Sequence, residues 1–242
     1  MATLKFLGRG SAFTDDQNTA YFTVGDTLVL IDCSMMAFNK IRKYKLLNGK
    51  SKVVVLVTHT HVDHTAGIPM LIDFATYVEK VKAIVICPAS ITNEIRALVN
   101  NIECCDKSAY KIISAEYACI DGMCDMGLGF EFRHILTDHV DNMRGKCFGY
   151  YIKIDGQDIV YTGDTRTLVP YTQYLKSGTE FYVEASAYRS GVHLYIGDTL
   201  EILNKLTQAG VKVYLMHMDN EKYIREKIDG TKINFAPLYR NK

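Results

Sequence analysis

The chain of 242 residues has no tryptophan, only four prolines, and almost no excess of either charge. Against 28 Lys and Arg stand 27 Asp and Glu, a formal net charge of +1. Each shortage excludes something. With so few prolines and no low-complexity stretch, nothing marks a hinge or linker, and residues 1–242 read as one domain. Near-neutral charge gives no global basic field, so a large nucleic acid spread over the surface is not the expected partner. No apolar run reaches bilayer length and residues 1–13 lack the apolar core of a secretion signal, so no membrane partner is expected and the expected location is cytoplasmic. The seven cysteines contain no CxxC pair. In that compartment they read as reduced, largely buried thiols rather than a disulfide framework or a zinc ribbon.

What is present is ordinary globular composition, 48% hydrophobic and 23% charged, arranged in alternating elements. Short apolar or alternating runs at residues 4–7, 20–24, 28–31, 53–57 and 83–87 read as strands. Residues 66–78 have helical spacing, and a second helix starts at Ser90 with Ile91, Ile95, Leu98 and Val99 on one face. Further strands are expected at 130–135, 148–154 and 158–161, the last two joined by an Asp155-Gly156 turn, and at 181–183 and 212–216. Asp198 and Glu201 stand like a capping box before Leu203 and Leu206, with Gly210 closing that helix. Strands outnumber helices in the first half, which fits two sheets with helices outside them better than one doubly wound sheet. The basic run 40–52, six Lys and Arg with no acid, reads as a solvated helix face.

The centre of the sequence is an apolar strand, residues 53–57, that runs through Thr58 into His59-Thr60-His61-Val62-Asp63-His64. In extended chain His59 and His61 project to the same side, and Asp63 and His64 fall where the next helix begins. Four ligand-type side chains within six residues can reach two neighbouring metal sites, and zinc accepts this mixture of imidazole and carboxylate. His134 differs: it alternates with Phe130 and Phe132 along one strand face and reads as a packed side chain.

This HxHxDH after a hydrophobic strand resembles the metallo-β-lactamase-fold hydrolases, and other landmarks follow in order. Leu136-Thr137-Asp138-His139 is similar to the segment of the third histidine. Tyr161-Thr162-Gly163-Asp164-Thr165 is similar to the strand end that supplies a metal-bridging aspartate, and Tyr214-Leu215-Met216-His217 to the last strand with its terminal histidine. At the other end, Phe6-Leu7-Gly8-Arg9-Gly10-Ser11-Ala12 and Asn18-Thr19 resemble the opening of the ribonuclease Z branch. The resemblance implies an α/β (α+β) fold in αββα order, two β-sheets flanked by helices. It implies that His59, His61 and His139 hold one zinc, that Asp63, His64 and His217 hold a second, and that Asp164 bridges them. Two Zn2+ per subunit are expected, with Mn2+ as the alternative metal. His61 stands where the diiron flavoprotein relatives carry a glutamate, which disfavours an oxygen-reducing iron centre.

The same resemblance implies roles around the metals. Asp63 ligates and also steers or accepts the proton of the nucleophile. Glu184 and His193 look like the ribonuclease Z-branch pair in which the histidine serves the leaving group and the glutamate fixes its tautomer. That match departs at Leu194, where the branch usually has a small hydroxyl residue. Asp32 matches a position that supports the ligands without being one.

Bacterial ribonuclease Z enzymes carry a long arm between the third histidine and the bridging aspartate. Here only 24 residues separate His139 from Asp164, and a short loop and a hairpin consume them. Without an arm, the chain most resembles the anti-Pycsar family of phages and bacteria, which opens with a similar FLGxGSAF. That resemblance implies a homodimeric phosphodiesterase that opens 3′,5′-cyclic nucleotides such as cyclic CMP and cyclic UMP to 5′-monophosphates and so counters cyclic-nucleotide antiviral signalling. The alternatives are a ribonuclease Z-like endonuclease acting on RNA 3′ ends and, from another class, a metal-binding fold without turnover. Tyr77, Tyr110 and Tyr117, in the segment between His64 and His139, offer rings on which a base could stack.

Overall fold

Apolar residues that alternate between two destinations build two sheets in the computed structural model, which describes residues 3–120, 123–125 and 127–239. The first sheet runs, in spatial order, β1 (Lys5–Gly8), β2 (Thr19–Val24), β3 (Thr27–Ile31), β4 (Lys52–Leu56), β5 (Lys82–Cys87) and β6 (Tyr110–Ser114). Its first three strands are antiparallel neighbours, and β3 to β6 are parallel. The second sheet begins with β7 (Cys119–Ile120), β8 (Met123–Asp125), β9 (Glu131–Thr137) and β10 (Cys147–Ile154). It continues with β11 (Gln157–Tyr161), β12 (Glu180–Glu184), β13 (Lys212–Met216) and β14 (Asn234–Phe235).

Period two sorts the side chains into three cores. Val53 and Val55 of β4, and Val57 just after it, face outward into one core with Phe38 and Ile41 of α1 (Met35–Lys43), Leu71 of α3 (Ile68–Asp73) and Ile95 of α4 (Thr92–Arg96). Val54 and Leu56 face inward and meet Phe132, Tyr150 and Tyr161 of the second sheet. The far side of that sheet, with Val160, Phe181, Val183 and Leu215, is covered by Ile196 and Leu203 of α5 (Ile196–Gln208) and Ile224 of α6 (Glu221–Ile228). The layers are therefore helix, sheet, sheet, helix, the αββα order expected. Strands β3, β4, β9, β11, β12 and β13 all run toward one rim, so the residues that follow them share one end of the sandwich. The Phe148 amide, donating to the Thr58 carbonyl at 3.0 Å, joins the two sheets there.

Several expectations shift. Helix begins around Asp63 and His64 as expected, but the helical stretch expected over 66–78 is broken: α2 (Val62–Thr65) ends before Gly67, α3 follows, and a wider π turn covers Phe74–Glu79. A Cβ on Gly67 would lie 2.3 Å from the Ser34 carbonyl oxygen, so close approach of the chain to the start of α1 sets the break. The capping box does not form: α5 starts at Ile196, and Asp198, in its first turn, pairs with Arg189 instead. Only the first part of the basic run is helical, because α1 ends at Lys43 and Lys52 already opens β4. Strands β6, β7, β8 and β14 and helix α6 carried no recognised signal. The cysteines are not uniformly reduced. Cys33, Cys87, Cys104, Cys105 and Cys147 are free, whereas Cys124 is disulfide-bonded; the β7–β8 register sets Cys119 opposite it. Antiparallel pairing creates that proximity, which spacing alone did not reveal. Among the described residues no helix is long and apolar enough to cross a membrane.

Candidate metal centre

The rim gathers all seven candidate ligands. His59, His61, Asp63 and His64 follow β4, His139 follows β9, Asp164 follows β11 and His217 follows β13. They form two adjoining groups of potential metal donors: His59, His61, His139 and Asp164, and beside them Asp63, His64 and His217. Asp164 is divided between the two. Its Oδ2 lies 3.8 Å from His59 Nε2 and 3.7 Å from His139 Nε2, while its Oδ1 lies 3.4 Å from both His64 Nε2 and His217 Nε2. Asp63 Oδ2 completes the second group, 3.3 Å from His64 Nε2 and 3.5 Å from His217 Nε2.

These separations fit a cation better than hydrogen bonds. Ligands at about 2.0–2.1 Å from a tetrahedral metal stand roughly 3.4 Å from one another, whereas hydrogen-bonded N and O stand at about 2.7–3.2 Å. Several of the atoms also lack any other partner. His64 Nε2, His217 Nε2 and Asp164 Oδ1 are buried with no hydrogen bond, a costly state unless something positive sits between them.

The opposite ring nitrogens are held by acceptors that fix each tautomer. His64 Nδ1 donates to Asp32 Oδ2 at 2.8 Å, and His139 Nδ1 donates to the Val192 carbonyl at 2.8 Å. His59 Nδ1 lies 3.0 Å from Thr58 Oγ1, which in turn donates to Asp32 Oδ2 at 2.7 Å. Asp32 lies outside both donor groups, its carboxylate already taken up by Thr58 and His64 Nδ1, the supporting position the sequence suggested. Thr58 was not foreseen; its only signal was its place between the apolar strand and His59. His61 differs in turning Nδ1 toward His59 Nε2, at 3.0 Å.

Charge at the rim is arranged in two halves. Burial, reinforced by neighbouring imidazoles, pushes the His59 pKa well down, and burial and His139 lower that of His61. Around the second group burial again opposes charge, but the carboxylates win. Asp164 and Asp32 raise His64 well above the usual histidine range, and Asp164, Asp63 and Glu184 raise His217 to about 10. Asp63 is held far below the usual carboxylate range by His217 and His64, despite its burial.

Glu184, at the end of β12, is buried and spans to the next strand end: Oε1 accepts from the Thr165 amide at 2.6 Å. Its Oε2 lies 2.5 Å from His193 Nδ1, so the expected pair is formed, and against burial this contact raises the His193 pKa. The His193 ring packs beside those of His139 and His217, with centroids at 4.8 and 5.2 Å. Asp219 escaped notice because its partners are about thirty residues away: Oδ1 accepts from the Ala187 amide at 2.8 Å and Oδ2 from Ser186 Oγ at 2.5 Å. It ties the loop after Glu184 to the one after His217.

His134 stands apart from the cluster, packed edge-on to Phe148 with Nε2 3.5 Å from Glu116 Oε1, as a structural side chain would be. The stacking rings proposed from the sequence fare worse. Tyr110 pairs in register with Ala83 at the start of β6, the end of the sheet opposite His59, and Tyr77 lies half-exposed on the π turn. The side chain of Tyr117 lies outside the described residues.

The αββα layers and the donors along one rim define the metallo-β-lactamase fold. The structure is similar to that of the metallo-β-lactamase-fold protein YhfI from Bacillus subtilis, with a TM-score of 0.74 at 18% identity over 97% of this chain and 93% of that one. It is also similar to a diphosphatase of the PhnP family (TM-score 0.70, 14% identity, 99% and 97% of the two chains). A third similar structure is the short form of human tRNase Z (TM-score 0.69, 16% identity, 98% and 97%). No curated protein sequence is significantly similar to the chain. Residues 2–237 match the family described as Anti-Pycsar protein Apyc1, and the chain belongs to that family.

Proposed function

We propose that the chain is a dinuclear metal phosphodiesterase that opens 3′,5′-cyclic nucleotides, cyclic CMP and cyclic UMP first among them, to 5′-monophosphates. The observation that carries this reading is the division of Asp164, one oxygen toward His59 and His139 and the other toward His64 and His217. His59, His61 and His139 would hold one ion, Asp63, His64 and His217 the other, with zinc as the proposed metal and manganese as the alternative. Such a pair of cations supplies a nucleophile from water at neutral pH and neutralises charge on phosphoryl oxygens.

The protein's own groups do the rest. Asp63 turns Oδ2 to His64 and His217, which leaves its other oxygen to steer the attacking water. His193, its Nδ1 held by Glu184, keeps Nε2 free to protonate the departing 3′ oxygen. The anti-Pycsar family name supports a cyclic-nucleotide signal of antiviral defence as the target, with a homodimer in the cytoplasm as the proposed working form. The lack of an arm between His139 and Asp164 favours a small substrate over transfer RNA.

Incubation with cyclic CMP, cyclic UMP, cyclic AMP and a precursor tRNA, with products separated by chromatography, tests the reading. Linear 5′-monophosphates are expected from the cyclic compounds. Processing of the RNA alone would establish the endonuclease instead, and turnover of nothing by metal-loaded protein would establish a binding fold. Elemental analysis should find two transition-metal ions per chain.

A further inference from the structure

Two exposed aromatic rings flank the approach to His193. Phe13, in the loop between β1 and β2, is fully exposed, and Tyr188, in the loop between Glu184 and His193, is 60% exposed. Single exposed aromatics are common on protein surfaces. These two share a cavity of about 350 Å³ with His193 and His217, the low end of the size of small-molecule sites.

Both rings stand on backbone that is already fixed. The Thr14 amide donates to the Ser11 carbonyl at 3.1 Å and closes a turn with Phe13 at its third position. The Ser11 amide donates to the Met218 carbonyl at 3.0 Å, which ties that turn to the residue after His217. On the other side the Tyr188 amide donates to Ser186 Oγ at 3.0 Å, and Ser186 is held by Asp219. Anchored loops that expose flat apolar rings beside a proton donor are pre-organised to bind something flat, with little ordering left to do on association.

We infer that Phe13 and Tyr188 form the nucleobase subsite, where the base stacks while its cyclic phosphate lies at His193 and the metal ligands. The inference rests on the phosphodiesterase reading and deepens it by separating recognition of the base from recognition of the phosphate. It also moves the stacking role away from Tyr77 and Tyr110, which lie elsewhere on the fold.

The test compares cyclic CMP with a base-free analogue, the 3′,5′-cyclic phosphate of 1-O-methylribose, for wild-type protein and the variants Phe13→Ala, Phe13→Tyr and Tyr188→Ala. Loss of a stacking ring should cut the ratio of kcat/KM for cyclic CMP over the base-free compound about tenfold, mostly through KM, in Phe13→Ala and Tyr188→Ala. Phe13→Tyr should keep the wild-type ratio. An unchanged ratio in Phe13→Ala, or an equal loss in Phe13→Tyr, would overturn the subsite, the second by making loop shape rather than the ring responsible. Wild-type protein that hydrolyses both compounds equally well overturns the subsite alone. If it hydrolyses neither, the phosphodiesterase reading falls, and the subsite with it.

Discussion

Two residues at the rim sit in the left-handed region that side-chain-bearing residues seldom occupy: Asp32 at φ 62° and His217 at φ 49°. Such conformations persist where surrounding contacts over-determine them. Asp32 shows how: its carboxylate receives the Thr58 amide at 2.8 Å, the Thr58 hydroxyl and His64 Nδ1. Asn tolerates the same backbone, so Asp32→Asn removes charge without reshaping the chain. Supporting groups of this kind are worth about 10–100-fold in metal affinity, and a loss in that range is expected, read by competition with a chromogenic chelator; unchanged affinity would show that Asp32 merely folds the turn. His193 is tested by chemistry instead. His193→Ala should slow cyclic-nucleotide hydrolysis by about 10²–10⁴-fold but an activated aryl phosphodiester far less, since a good leaving group needs no proton. Equal slowing of the two substrates would remove His193 as the acid.

Among the elements, what could be read from the sequence was what lies close together in it. HxHxDH follows an apolar strand, so four candidate ligands and their placement at the exit of β4 were legible at once. The strands β9 to β13 were legible too, because apolar or alternating runs of strand length stand out whatever they pack against. The anchors were not. Thr58 and Asp32 stand 26 residues apart and Ser186 and Asp219 stand 33 apart, and no local pattern announces such partners. The break before α3 was hidden for the same reason, its cause being the Ser34 carbonyl against Gly67. The turn after β11 has the same kind of dependence. Gly163 has φ 60°, and a Cβ there would come within 2.6 Å of the Phe148 carbonyl oxygen and 3.2 Å of Thr58 Cβ. Gly163→Ala should therefore destabilise the protein by about 1–3 kcal/mol, measured by denaturant unfolding, and reduce bound metal by displacing Asp164. Wild-type stability with full metal content would contradict that role for the turn.

At the scale of the whole molecule, the candidate metal centre is a seam. His59, His61, Asp63 and His64 belong to the first sheet, His139, Asp164 and His217 to the second, so ions held among them cross-link the two halves of the sandwich. Without them, the buried Asp164 Oδ1 and the Nε2 atoms of His64 and His217 face one another with no hydrogen bonds. Ligand that binds only the folded state at about 1,000 times its Kd stabilises by about 4 kcal/mol. For a chain of this size that corresponds to a Tm shift of roughly 8–16 °C. Removing metal from zinc-loaded protein with a chelator should lower Tm by that order, and adding zinc back should restore it. The loss should also be local. Val53 to Val55 pair within the first sheet alone, whereas the Phe148 amide reaches across to Thr58. Hydrogen exchange after chelation should therefore accelerate at Phe148 well before it does in β4. Uniform acceleration across both sheets would mean that the ions stabilise the fold as a whole rather than close its seam.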